Sequence, residues 1–172
     1  SLNNVAIGTG SMAGVMNASS NNIAIGTQAL AALTTGDNNV VIGYQAGDVM
    51  TTNIGNVAIG LQALSAATND ENYNVAIGYG CMGTVNATAT DKNVAIGNGA
   101  LLGGNGGELV GCIAIGDAAL DATGTNNHTG SIAIGQQALG DCTTGASNTA
   151  VGYYAGKLIT TGASNTILGQ GA

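Results

Sequence analysis

The sequence predicts an all-β fold, a β-solenoid of about ten stacked coils, and three observations carry that expectation. A five-residue unit, Asn56-Val57-Ala58-Ile59-Gly60 in its plainest form, returns ten times along the 172 residues. Its closing glycines, at 8, 26, 43, 60, 78, 97, 116, 135, 152 and 169, are spaced by 17 to 19 residues, as expected where one structural unit is stacked on itself. The chain has no Phe, Trp or Pro and 30 Gly, and its apolar residues are mostly Ala, Val, Ile and Leu, so the core is narrow rather than built on large aromatic side chains.

Each part of the unit has a reading. Large, small, large in Val57-Ala58-Ile59 is the period-two pattern of a short strand. The β-branched Val and Ile are expected to face the core. Ala, which holds the middle position except at Val41 and Ile167, is expected to let a neighbouring chain approach the other face closely. Gly26, Gly43, Gly60, Gly78 and Gly97 stand for a corner that excludes a side chain or needs a positive φ. Asn22, Asn39, Asn56, Asn74 and Asn93 precede the strand, with Cys112 and Ser131 replacing Asn in two units. Stacked amides of this kind can hydrogen-bond from coil to coil; an Asn that merely starts a turn is the plainer reading, and either role is structural.

A second apolar pair three and four residues past the glycine, such as Ala29-Leu30, Ala63-Leu64 and Ala138-Leu139, reads as the opposite wall of the coil, with Ala46-Gly47 and Ala155-Gly156 in two units. The eight to ten residues that follow are rich in Thr, Gly, Asn and Asp and absorb all the variation in repeat length, as turn formers on one edge do. Gln28 to Leu33 is too short for a stable helix. Ten coils at about 4.8 Å make a column roughly 45 to 50 Å long. Three columns side by side would cover the second face of each, so a homotrimer is expected, with a solitary β-solenoid as the alternative.

Composition excludes several functions. The formal net charge is -7 with only two basic residues, which leaves no footprint for nucleic acid or anionic membranes. No apolar run reaches the roughly 18 to 20 residues of a transmembrane helix, and the N-terminal residues lack a signal peptide's basic start. Residues 1–172 are read as a single repeat domain, a segment of a longer fibre whose terminal caps lie elsewhere. Cys81, Cys112 and Cys142 fall at different places in the repeat and are expected to be free, packed thiols.

Candidate chemistry is sparse. His128 lies in a polar loop and is expected to face solvent, and its pairing with Cys112 or Cys142 lacks a group to orient the imidazole. Asp70-Glu71 and Asp117 with Asp121 are the closest carboxylate groupings, but no recurrent pair or aromatic sugar platform supports a glycosidase. Asp37, Asp48, Asp91 and Asp141 shift in register, so no calcium site, other metal or cofactor is expected. The sequons at Asn17, Asn86 and Asn127 are the sort that Asn/Thr-rich sequence generates by chance. One surface feature stands out: Tyr44, Leu61 and Tyr79 follow the glycine on three consecutive coils, where other copies carry Thr9, Asn98, Asp117 or Gln136. They form a candidate apolar patch, with an interchain contact preferred over a receptor site.

The Asn-Val-Ala-Ile-Gly unit followed by Gln-Ala-Leu resembles the head repeat of trimeric autotransporter adhesins. The run from Thr143 to Gly156 is similar to repeats of bacteriophage tail-fibre proteins. The resemblance spans essentially the whole chain and implies a left-handed parallel β-roll, three of which pack as a trimer. It also implies a non-enzymatic role: a structural segment of an extracellular or virion tail fibre that extends and displays a host-attachment apparatus. The alternative is a bacterial adhesin head that binds a host glycan or protein directly. A third reading, an ice-binding solenoid, would call for a flat, regular Thr array, whereas the pairs Thr34-Thr35, Thr51-Thr52, Thr143-Thr144 and Thr160-Thr161 recur only irregularly.

Overall fold

In the computed structural model, residues 3–15, 17–68, 71–85, 90–103, 107–124 and 127–172 are described. Every copy of the unit is a three-residue strand. These are β1 (Val5–Ile7), β2 (Ile23–Ile25), β3 (Val40–Ile42), β4 (Val57–Ile59), β5 (Val75–Ile77), β7 (Val94–Ile96), β9 (Ile113–Ile115), β11 (Ile132–Ile134), β12 (Thr149–Val151) and β13 (Thr166–Leu168). They form one ten-stranded sheet in chain order. Neighbours pair in parallel with no slip, Val57 opposite Val75, Ala58 opposite Ala76 and Ile59 opposite Ile77. The chain is therefore a parallel β-solenoid. Among the described residues there is no helix, and none long and apolar enough to cross a membrane.

The faces are the reverse of the expected ones. The middle residue of the strand is the buried one: Ala24, Ala58, Ala76, Ala95, Ala114, Ala133 and Ala150 are fully buried, and so is Val41. The flanking Val and Ile point outward and are half-buried or exposed, Ile7 at 57% and Ile134 at 36%. The reason is the thinness of the coil. Ala in the strand and Ala-Leu on the opposite wall occupy one interior, and β-branched side chains on both walls would overfill it. Alternation fixed which residues share a face; the inner width decided which face is inside.

The opposite wall is as expected. Ala29 and Leu30, Ala63 and Leu64, Ala100 and Leu101, and Ala138 and Leu139 are fully buried. Their backbones bond from coil to coil, Leu30 N–H donating to Ala46 O at 3.1 Å and Leu64 N–H to Cys81 O at 3.0 Å. Where Gly47 replaces Leu, Met50 moves in: its Sδ lies 2.6 Å from where a Cβ of residue 47 would be. The leucines of this wall adopt left-handed φ values, 48° at Leu30 and 53° at Leu64, a strain of order 1–3 kcal/mol each that their complete burial offsets.

Two ladders hold the register. At Gly60, φ is 137°, and a Cβ there would overlap the carbonyl of Gly78 on the next coil. A side chain is excluded by contact as well as by conformation. The Asn residues form the second ladder and are buried within it. Asn22 Oδ1 accepts from the backbone N–H and side-chain Nδ2 of Asn39, at 2.9 and 3.0 Å, while Asn39 Nδ2 also donates to Asn53 O at 2.7 Å. The same pattern joins Asn56 to Asn74 and Asn74 to Asn93. The coil-to-coil reading of Asn therefore holds.

A feature absent from the sequence reading is a second, three-stranded parallel sheet in the longer repeats. Its strands are β6 (Thr90–Asp91), β8 (Leu109–Val110) and β10 (His128–Thr129), with β8 in the centre. The extra residues of the 19-residue repeats thus include further stacked backbone.

Candidate functional site

Tyr44, Leu61 and Tyr79 stack on consecutive coils, because each residue after the corner is fixed by a backbone bond. Gln62 N–H donates to Tyr44 O and Gly80 N–H to Leu61 O, both at 2.9 Å. All three are exposed on the single chain, at 50%, 43% and 59%. The next members of this row are polar: Asn98, whose Nδ2 donates to Asp117 Oδ1 at 2.7 Å, then Asp117 and Gln136, whose Nε2 lies 3.4 Å from Asp117 Oδ2.

Beside this row runs a second one, at the residue two past each corner glycine. Gln28, Gln45 and Gln62 share it, with left-handed φ values of 60°, 52° and 55°. Their side chains form a surface ladder, Gln45 Nε2 donating to Gln28 Oε1 at 3.0 Å and Gln62 Nε2 to Gln45 Oε1 at 3.4 Å. The ladder stops at Gly80, Gly99 and Ala118 and its residue type returns at Gln137. The missing side chains leave a recess of about 400 Å³ between Gln62 at one end and Asp117 and Asp121 at the other, with Tyr79 and Leu102 on its walls. In the sequence Tyr79 reads as a patch residue, and the two aspartates as a carboxylate grouping with no sugar platform beside it. The signal that could have joined them was the loss of Gln at one repeat position on three successive coils.

The remaining candidates are inside the stack. His128 is fully buried, contrary to the solvent-facing expectation, because it lies on β10 rather than in a loop. Its Nε2 is 3.3 Å from Thr143 O, so that nitrogen carries the proton, while Nδ1 has no hydrogen-bond partner among the described residues. Burial holds its pKa below the usual 6.5, partly opposed by the carbonyls of Thr143 and Gly145. The thiol of Cys112 donates to the backbone carbonyl of His128 at 3.3 Å. Both the thiol and the ring thus bond to backbone carbonyls.

All three cysteines are free and buried. Burial pushes the Cys81 thiol up to about 12 and raises Cys112 and Cys142 as well, which suppresses the thiolate that reactivity needs.

The acids mostly serve the stack. Asp37 Oδ1 accepts from Ser20 N–H at 2.6 Å and Asp91 Oδ1 from Asn72 N–H at 2.8 Å. Glu71 is fully buried, with Oε2 accepting from Asn53 Nδ2 at 3.0 Å; its neighbour Asp70 lies outside the described residues, as does Asn86. Asn17 and Asn127 are exposed. The hydroxyls of Thr34, Thr51 and Thr143 donate to the carbonyls of Thr51, Thr68 and Thr160, so they act within the column. Among the described residues no three His, Cys, Asp or Glu side chains are grouped to hold a metal ion.

Fold and surface together define a repeat protein of the parallel β-solenoid class. Compared with protein-family models, curated proteins and solved structures, the chain finds no match in any of the three.

Proposed function

We propose that this chain is a non-enzymatic, structural segment of an extracellular or virion tail fibre, and that it works as a homotrimer of solenoids packed through the outer face of the ten-stranded sheet. The observation that carries the reading is that face itself. Its two rows, Val5, Ile23, Val40 and onward beside Ile7, Ile25, Ile42 and onward, are Val, Ile or Leu at every coil except for Thr149 and Thr166. The strip extends for nine inter-strand steps of about 4.8 Å, on the order of 43 Å. A contiguous apolar surface of that length is the mark of an interface. The contact falls on Val and Ile instead of the Ala first expected. The motif's likeness to adhesin-head and tail-fibre repeats supports the trimeric state and the fibre setting.

As a rod, the molecule resists bending because every coil is bonded to the next through backbone hydrogen bonds, with Asn amides adding side-chain bonds where Asn holds the spine. Sedimentation of the purified chain tests the proposal. A species of three times the chain mass is expected, and a monomer at micromolar concentration overturns it.

A second reading, an adhesin head that touches the host surface directly, is favoured by the exposed row of Tyr44, Leu61 and Tyr79. Attachment of the chain to host cells, lost on changing the three to Ser while the oligomer persists, would distinguish it from a purely mechanical role.

A further inference from the structure

The recess where the glutamine ladder is interrupted has the make-up of a ligand site. It spans four coils, from Gln62 to Asp117 and Asp121, three steps of about 4.8 Å or on the order of 14 Å. Its volume of about 400 Å³ lies within the usual range for small-molecule sites. None of its lining residues belongs to a strand of the main sheet, so it does not rest on the proposed association.

Its chemistry is one-sided. The middle is mainly apolar, with Gly80, Gly99 and Ala118 in one row, Gly83 and Leu102 in the next, and the ring of Tyr79 above; of the polar side chains on its lining, Ser65 and Thr84 donate their hydroxyls to Gly83 O and Leu102 O, and Asn98 its amide to Asp117. An added Cβ at Gly80 would meet nothing within 4 Å, and one at Gly99 only Leu102 Cδ2 at 3.9 Å. One end is acidic. Asp117 is held by the Asn98 and Gln136 amides. The Asp121 carboxyl is raised by burial, against a hydrogen bond from its own backbone, and further by the neighbouring charges of Asp141 and Asp117, with Lys157 also opposing. Lys157 does not line the recess; its Nζ sits 4.7 Å from the Tyr154 ring centroid. With the Ser65, Thr84 and Asn98 donors engaged within the stack, a hydroxyl-rich ligand would find few of them left to bind it in the middle. A flexible chain of methylenes ending in ammonium groups meets each part, with one cation on the aspartates and another near the Tyr79 face and the Gln62 amide oxygen.

We propose that this recess binds a linear aliphatic diamine or polyamine, with Asp121 and Asp117 taking one ammonium group and Tyr79 packing over the chain. The repeat supplies its own blocking variant. Gln already occupies the same left-handed position at 28, 45 and 62, so Gly80→Gln with Gly99→Gln extends the surface ladder into the recess in a backbone conformation that the chain already tolerates with this residue.

The experiment is calorimetric titration of the full chain with 1,5-diaminopentane, with 1,5-pentanediol and Mg²⁺ as controls. Saturable one-site binding of the diamine is expected, absent for the diol and not displaced by equimolar Mg²⁺. It should weaken about tenfold in Asp121→Asn and in Tyr79→Ser and be lost in the double Gln variant, with circular dichroism unchanged. Absence of saturable binding at millimolar diamine overturns the proposal. So does equal binding by the double Gln variant, or displacement by Mg²⁺, since either would mean general attraction of cations to an acidic surface. Should the double variant fail to fold, the two single variants decide, and unchanged affinity in both overturns the proposal.

Discussion

Asn39 and Asn56 sit one above the other in the buried spine, Asn39 Oδ1 accepting from the Asn56 backbone N–H at 2.9 Å and from its side-chain Nδ2 at 3.4 Å. Asn56 in turn donates to Glu71 O at 2.8 Å and accepts from Asn74 N–H at 2.9 Å. Asn56→Ala strands the buried Asn74 N–H and leaves a void, at a cost of about 2–3 kcal/mol. Asn56→Asp is expected to lose more at pH 7, since it sets a carboxylate against the Asn39 and Glu71 oxygens. Urea unfolding of the two variants beside the parent chain measures both; equal stabilities would contradict a ladder that needs donor and acceptor together.

The corner makes a sharper demand. Gly60→Ala must place a Cβ at φ 137° against the backbone of Gly78, and neither the coil below nor the peptide can yield. A loss of about 3 kcal/mol or more is expected. Gly80→Ala, in a left-handed position open to solvent, should cost about 1 kcal/mol or less. The contrast, read from thermal unfolding of the two variants, separates contact from conformation.

The reversed faces predict opposite phenotypes for adjacent residues. Ala58→Leu forces three carbons into a fully buried position and should destabilise each chain by about 1–3 kcal/mol. Ile59→Lys lies on the outer face and should leave the chain folded while shifting the sedimenting species towards monomer. Were the faces as first expected, the two outcomes would be exchanged.

His128 gives the pH dependence a definite sign. Its folded pKa lies below the ordinary 6.5, so between the two values the unfolded chain binds more protons and stability rises with pH. The contribution is complete above about pH 6.5 and is lost as the pH falls through the folded value. Comparing urea midpoints of the parent and His128→Leu from pH 8 down to 5 isolates it. The gap between the two should move in the variant's favour as the solution acidifies, and a constant gap would show that the ring titrates normally.

The three thiols should be silent in the native state and react fully on unfolding, since all are buried and Cys81 is pushed up to about 12. Ellman titration with and without guanidinium reads this directly. Rapid labelling of any one cysteine in the native protein would mean that its coil opens.

Much of the architecture is legible in the chain because a solenoid repeats its local rules. Gly60 and Asn56 return at one period, so strand, corner and spine follow from sequence, as do the buried Leu64 and its equivalents. What the sequence could not state is which side of Val57-Ala58-Ile59 is inside. Alternation is symmetric between faces, and only the narrow separation of the two walls, which leaves little room in the strand row where Leu fills the opposite wall, puts Ala58 within and leaves Val57 and Ile59 on the outer face. The burial of His128 was hidden for a similar reason: its polar neighbours read as a loop until β8 supplied a strand to pair with. The recess beside Tyr79 likewise exists only once residues 17 to 19 apart are brought to one inter-coil spacing, because a row of absent side chains becomes a cavity only when the coils carrying it are stacked.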